Sequence, residues 1–296
     1  MVFRILTIDG GGVRGIYPAH ILASLTKVLG PLSAVFDLVA GTSTGSIIAG
    51  AVATGADLEH VTNLYESHAA QIFSPRLGNL RGVVRSAYSS EPLRALLRSV
   101  FANATFADVK TRLMVIASDV SNGSVFVMKS PYLASFVRDA DITLVDGICA
   151  SCAAPTYFDP VRVKEYLLAD GGLWANNPSL VAYTEAVGKL HIPTADVRIL
   201  SIGTGSGHQY YDVASAHGWG LATGWGRRLI DTIFNLQSVA SSNMATLLLE
   251  DNYLRISFAE TGALPLDDPG AMPHLKANAA DAFTHNVAQI KAFLQL

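Results

Sequence analysis

The sequence predicts an α/β domain built around a largely parallel, buried central sheet. Three observations carry this. Short runs rich in β-branched residues recur along the 296 residues, with segments of helical period between several of them. The strand-like runs are mostly apolar at consecutive positions, as strands covered on both faces are. Half of the residues are hydrophobic and only 15% are charged, ample material for such a core.

The elements follow in order. Residues 2–8 (VFRILTI) read as the first strand. Over 13–29, Ile21, Leu22, Leu25, Val28 and Leu29 keep helical spacing, and Gly30-Pro31 ends the pattern. A strand through Val39 comes next, then a helix of small residues, SIIAGAVATG, over 46–55. Residues 58–104 read as mostly helical. Strand signals return at 113–117, 124–128, 166–169 and 197–202, with a helical pattern at 179–190. No repeat, linker or low-complexity run divides the chain, so a single domain over 1–296 is expected.

Composition excludes several function classes. A net charge of −3 argues against a nucleic-acid polymer as partner, since such binding depends on neutralising phosphates. The apolar run at the start is too short for a signal peptide, and no window approaches about 18 uninterrupted apolar residues. A cytoplasmic protein is expected. Cys149 and Cys152 share C-x-x-C spacing, but no second pair completes a zinc site, so packed, reduced thiols are expected and no metal or cofactor. Residues 72–112 hold seven basic residues (Arg76, Arg81, Arg85, Arg94, Arg98, Lys110, Arg112) against Glu91 and Asp108. That local excess of +5 is either a solvated, paired face or a contact zone for an anionic headgroup or small anionic regulator.

Three motifs carry chemistry. Asp9-Gly10-Gly11-Gly12-Val13-Arg14-Gly15 follows the first strand and opens a helix. Gly10, Gly12 and Gly15 satisfy G-x-G-x-x-G, so a nucleotide-binding or oxidoreductase module is one reading. That reading needs an acidic residue ending the second strand, whereas Asp37 precedes the apolar run. The other reading is an oxyanion hole, because a glycine turn at a positive helix end exposes backbone N–H groups. Arg14 would add charge or hold the loop in shape.

Gly41-Thr42-Ser43-Thr44-Gly45 has the G-x-S-x-G spacing of a nucleophile elbow, with Gly41 and Gly45 removing side chains that would clash. Asp170 ends an apolar strand, where parallel sheets place functional groups, and Gly171 and Gly172 let the chain turn beside it. Of the eight histidines, only His274 suits the Ser, acid, His order of an α/β-hydrolase triad. Yet Ser43 leaves room for one βα unit before it, where that fold needs several strands. Phe101, Phe106, Tyr132 and Phe136 read as core, with a lipid-facing mouth as the alternative.

DGGGVRG, GTSTG and ADGG, in this order, resemble the patatin-like phospholipases. The likeness extends to the segment Ala150-Ser151-Cys152-Ala153-Ala154-Pro155, similar to that family's Ser-x-x-x-Pro element, and to Leu200–Gly205. The resemblance implies a three-layer α/β/α catalytic core over about 4–205, with a more helical part over about 206–296 completing the domain. It also implies a Ser–Asp dyad: Ser43 matches the nucleophile, Asp170 the base, and Gly10, Gly11, Gly12, Val13 and Arg14 the oxyanion loop. By the same resemblance the substrates are phospholipids or related acyl lipids, met at a membrane peripherally. Some relatives act as toxins or as effectors switched on by a cyclic nucleotide, so a regulated membrane-degrading effector is a further alternative.

Overall fold

A computed structural model describes residues 2–75, 85–207, 218–219, 225, 228–262 and 264–296. Arg76, Arg81, His208 and His217 lie outside the described residues. The strands are β1 (Phe3–Ile8), β2 (Leu38–Thr42), β3 (Arg112–Asp119), β4 (Ser124–Lys129), β5 (Val161–Val163), β6 (Tyr166–Asp170), β7 (Val197–Ile202), β8 (Ser206–Gly207), β9 (Tyr253–Ile256) and β10 (Ala259–Glu260). The helices are α1 (Ile16–Leu29), α2 (Leu32–Val35), α3 (Thr44–Thr54), α4 (Leu58–Ile72), α5 (Glu91–Phe101), α6 (Leu144–Ser151), α7 (Gly172–Ala175), α8 (Ser179–Gly188), α9 (Arg228–Leu249) and α10 (Met272–Leu294).

The expected α/β architecture is present. β3, β2, β1, β7 and β9 run parallel in that order and form the centre of the main sheet. Apolar residues at alternate positions divide between its faces. Leu6, Ile8 and Val39 join a large cluster with α1, α3, α4, α5, α6 and α10. Phe3, Ile5, Leu38, Ala40, Val197 and Ile199 pack instead with Ala182 and Ala186 of α8 and Ala245 and Leu249 of α9. Burial on both sides explains why the strands lack polar alternation.

One expectation needs correction. Asp170 does not end a strand parallel to the others, because β6 runs antiparallel to β3. One edge of β3 carries β4 from Met114 to Asp119. The other edge carries β2 only as far as Ile116, which pairs with Thr42. Beyond that point the chain leaves the sheet at Ser43, and β6 enters the vacated edge from above. Its last residue, Asp170, pairs with Ala117. Two strands thus meet end to end along one neighbour, and the residues at the junction are Ser43 and Asp170.

Candidate active site

Ser43 sits between β2 and α3 at φ 52°, ψ −128°, a conformation that non-glycine residues adopt only when their surroundings enforce it. The enforcement is visible. The Ser43 N–H donates to Ser151 Oγ (2.8 Å), the Ser151 hydroxyl donates in turn to the Ile116 carbonyl (2.5 Å), and Ser46 Oγ donates to the Ser43 carbonyl (2.6 Å). Ser151 belongs to the Ser-x-x-x-Pro segment, so that segment braces the elbow. Close packing at Gly45 completes it, since a Cβ there would overlap the Ile8 carbonyl.

Asp170 is fully buried. Its Oδ1 accepts the Gly172 N–H (2.7 Å), and the Ser43 hydroxyl interacts with the same carboxyl group. Burial pushes the carboxyl up to about 7; the bonds from Ser43 and Gly172 pull the other way but less strongly. Oδ2 has no well-directed partner among the described residues.

The glycine loop stands over this pair. A Cβ on Gly10 would come within 3.1 Å of Ser43 Cβ, so the loop reaches Ser43 only because position 10 lacks one. Gly12 has φ +56°, in the left-handed region. The backbone donors are not equally available. The Gly10 N–H donates to the Asn176 carbonyl (3.1 Å), the Val13 N–H to Leu266 (2.8 Å) and the Arg14 N–H to Gly11 (3.1 Å). Gly11 and Gly12 alone in this stretch keep N–H groups without a partner among the described residues.

Arg14 is buried and shapes the loop: Nε donates to the Gly11 carbonyl (3.1 Å) and Nη1 to the Gly205 carbonyl (3.3 Å). Burial lowers its pKa, and the nearby charge of Asp231 is the largest opposing influence. Three further residues fasten the loop. Thr204 Oγ1 donates to the Gly10 carbonyl (2.7 Å), the Tyr65 hydroxyl donates to the Gly12 carbonyl, and buried Asp9 forms a two-point ion pair with Arg255 (2.7 and 2.6 Å). Asp9 heads the motif and was legible as part of it. Thr204 falls in the Leu200–Gly205 segment that shares the family resemblance, whereas Tyr65, Asn176 and Arg255 bear no local sequence signal.

A narrow cavity of about 40 Å³ opens at Ser43, lined by Tyr65, Phe73, Tyr157, Phe158, Phe234 and Leu266 among others. None of the four aromatic residues considered for a lipid-facing mouth lines it. Phe101 and Phe106 are core, and Tyr132 packs edge-on against Phe136 with its hydroxyl on Glu185. No described histidine lines it either; His274 pairs with Glu260 (2.7 Å) at the surface. Asp37 lies at the amino end of β2, where it accepts the Arg4 N–H, away from the glycine loop at the carboxyl end of β1.

Cys149 and Cys152 are free and buried, with the Cys149 thiol pushed up to about 12 by desolvation. Among the described residues, no group of three His, Cys, Asp or Glu could hold a metal ion, and no helix is long and apolar enough to cross a membrane. Within the basic segment, Arg94 pairs with Asp146, while Arg112 lies over the Phe3 ring and donates to the Asp37 carbonyl; Arg76 and Arg81 lie outside the described residues.

A family model described as patatin-like phospholipase matches residues 6–183. The chain is similar to a cGAMP-activated phospholipase of Escherichia coli (strain TW11681), with 34% identity over 284 residues, covering 85% of this chain and 78% of that protein. It is similar also to patatin-like protein 2 of Oryza sativa subsp. indica, with 30% identity over 309 residues and coverage of 86% and 76%. Among solved structures, VipD from Legionella pneumophila superimposes with a TM-score of 0.50 at 12% identity, over 99% of this chain and 67% of that one. This last likeness concerns the fold alone.

Proposed function

The chain belongs to the patatin-like phospholipase family, and on that premise we propose that it hydrolyses fatty acyl esters of phospholipids with Ser43 as nucleophile and Asp170 as base. The observation that carries the reading is the junction of β2 and β6. It sets a strained serine against a buried carboxylate whose pKa is about 7, at the mouth of an apolar cavity.

Asp170 takes the proton as Ser43 Oγ attacks the ester carbonyl. The developing oxyanion is held by the free N–H groups of Gly11 and Gly12, while Arg14 keeps the loop in place. Collapse of this intermediate expels the leaving alcohol, which receives the proton from Asp170. Water, deprotonated by the same carboxylate, then releases the fatty acid. A carboxyl with a pKa near neutrality suits both directions of transfer. The lipid is met at a bilayer surface.

A second reading concerns control. The cavity at Ser43 has room for only a few waters, far less than an acyl chain needs. Substrate entry therefore requires the walls to move, which favours an enzyme switched on by a ligand, as the name of the Escherichia coli relative describes for that protein. A second cavity of about 330 Å³ adjoins the glycine loop, lined by Arg14, Asn176, Thr204, Ser238, Arg255 and Phe258 among others. It is the place where a cyclic dinucleotide would act on the loop.

One experiment tests both readings: phospholipid vesicles, product mass spectrometry, and wild type, Ser43→Ala and Asp170→Asn proteins with and without cGAMP. Each substitution should lower turnover by about 10²–10⁴-fold with the fold retained. Near-normal turnover of Asp170→Asn would reject the dyad. Wild-type activity unaltered by cGAMP would reject control by that ligand, and no fatty acid released under either condition would reject the hydrolase reading itself.

A further inference from the structure

A further cavity, of about 510 Å³, opens at the amino ends of β2 and β3, lined by Asp37, Lys110, Arg112 and Ser130 among others. Asp37 and Ser43 bracket β2, so this cavity and the catalytic junction lie roughly 20 Å apart along the strand. Its size suits a small molecule, since such sites span roughly 300–1,000 Å³.

Lys110 and Arg112 belong to the basic segment over 72–112, and neither has a carboxylate partner among the described residues. Arg112 is only partly engaged. Its guanidinium lies over the Phe3 ring (5.7 Å), and Nη1 donates to the Asp37 carbonyl (3.1 Å). Its Nε–H is buried without a partner among the described residues. Buried donors are nearly always paired, and an orphan in the wall of a cavity points to a bound group. Ser130 supplies another donor. It is buried and accepts the Leu113 N–H (2.9 Å), while its own O–H has no acceptor among the described residues.

Local structure accounts for Lys110 in part. Its Nζ lies 2.8 Å from where a Gly55 Cβ would stand, at the carboxyl end of α3, where a cation offsets the helix dipole. That role uses the charge and leaves the ammonium donors open, and it does not account for Arg112 or Ser130. One carboxylate shares the cavity. Asp37 Oδ2 accepts the Arg4 N–H (2.8 Å), while Oδ1 makes no bond among the described residues.

This combination selects a ligand chemistry. Two unpaired cations and two open donors suit the phosphate of a monoester, which carries a charge of about −1.5 to −2 at pH 7. A bare anion would be repelled by Asp37. A ligand that also brings a hydroxyl turns that repulsion into a hydrogen bond, because a carboxylate can only accept. We propose that the cavity at the amino ends of β2 and β3 is a binding site for a small hydroxylated phosphate monoester. Its phosphate meets Lys110, Arg112 and Ser130, and its hydroxyl donates to Asp37. The site is separate from the catalytic junction and does not depend on the catalytic reading.

Calorimetric titration of the full chain with inorganic phosphate and with ribose 5-phosphate tests this. Ribose 5-phosphate should bind about threefold tighter or more. Lys110→Glu, a change at an exposed side chain, should weaken it roughly tenfold or more while circular dichroism stays unchanged. Arg112→Lys keeps the charge but removes the Nε donor, and should weaken both ligands. Asp37→Asn should act in the opposite sense on inorganic phosphate, which should bind more tightly, and should narrow the gap between the two ligands. Co-sedimentation with phosphatidylcholine vesicles, with and without phosphatidylinositol 4-phosphate, finds the source of the monoester. Recruitment by the phosphorylated lipid that Lys110→Glu abolishes would place it on a membrane headgroup. Binding of ribose 5-phosphate without recruitment would make it a free metabolite, and the site stands in either case. No binding of either soluble ligand at about 10 mM together with no recruitment would overturn the proposal, as would affinities that Lys110→Glu and Arg112→Lys both leave unchanged. No step of this test reads hydrolysis, so failure of the dyad and failure of this site are distinguishable.

Discussion

Burial sets the chemistry of Asp170, and the consequence can be read as a pH dependence. A base must be deprotonated to act, and this carboxyl is raised to about 7 by desolvation. Initial rates should therefore climb as pH rises towards about 7 and level off above it, with kcat/KM falling about tenfold per unit on the acid side. A flat profile between pH 5 and 8 would remove Asp170 from the role. Stability moves the other way. The folded pKa lies above the unfolded value, so the group's favourable contribution is complete below about pH 4 and is lost as pH rises through about 7. Asp170→Asn should consequently unfold at a higher temperature than wild type at pH 8, a gain on the order of 2–4 kcal/mol that shrinks towards pH 5.

At the scale of elements, the elbow depends on how closely α3 approaches the end of β1. Gly45 touches the Ile8 carbonyl, and no other residue fits without moving one of the two elements. Gly45→Ala should destabilise the protein by about 1–3 kcal/mol, seen as a lowered urea midpoint, and should reduce activity further by displacing Ser43 from Asp170. An unchanged midpoint would mean that α3 can shift freely. α9 walls the cavity through Phe234, whose ring lies 2.7 Å from where a Gly172 Cβ would stand. The inward residues of that helix are intelligible only from the contacts made by α7.

Across the whole molecule, residues far apart in sequence converge on the carboxyl ends of the parallel strands. The Asp9–Arg255 pair spans 246 positions, and Arg255 Nη1 also donates to Ser201 Oγ (2.8 Å), so the pair ties β1, β7 and β9 together beneath the glycine loop. Removing one partner leaves an uncompensated buried charge. Asp9→Asn should cost about 3–5 kcal/mol in chemical denaturation and should lower kcat through the loop, whereas Asp9→Asn combined with Arg255→Met should recover part of the stability. Equal losses in the single and double variants would deny the coupling.

The strands and helices up to β7, the elbow at Ser43, the glycine loop and the candidate acid Asp170 were legible in the sequence, whereas β9, a strand of the main sheet, falls in a stretch that read only as more helical. They depend on local rules: β-branched runs, helical period, and glycines where a Cβ would collide. What local rules could not convey was direction and occupancy. Nothing around Tyr166–Asp170 indicates that β6 enters antiparallel, because direction is decided by the edge of β3 that β2 leaves empty beyond Ile116. Likewise, five consecutive loop positions looked alike as donors until Asn176, Leu266 and Gly11 were found to accept three of them. The sequence by itself determined which candidate groups the chain carries; tertiary packing decided which of them meet, which N–H groups stay free among the described residues and how far the Asp170 carboxyl is raised, since desolvation and strand pairing depend on neighbours distant along the chain.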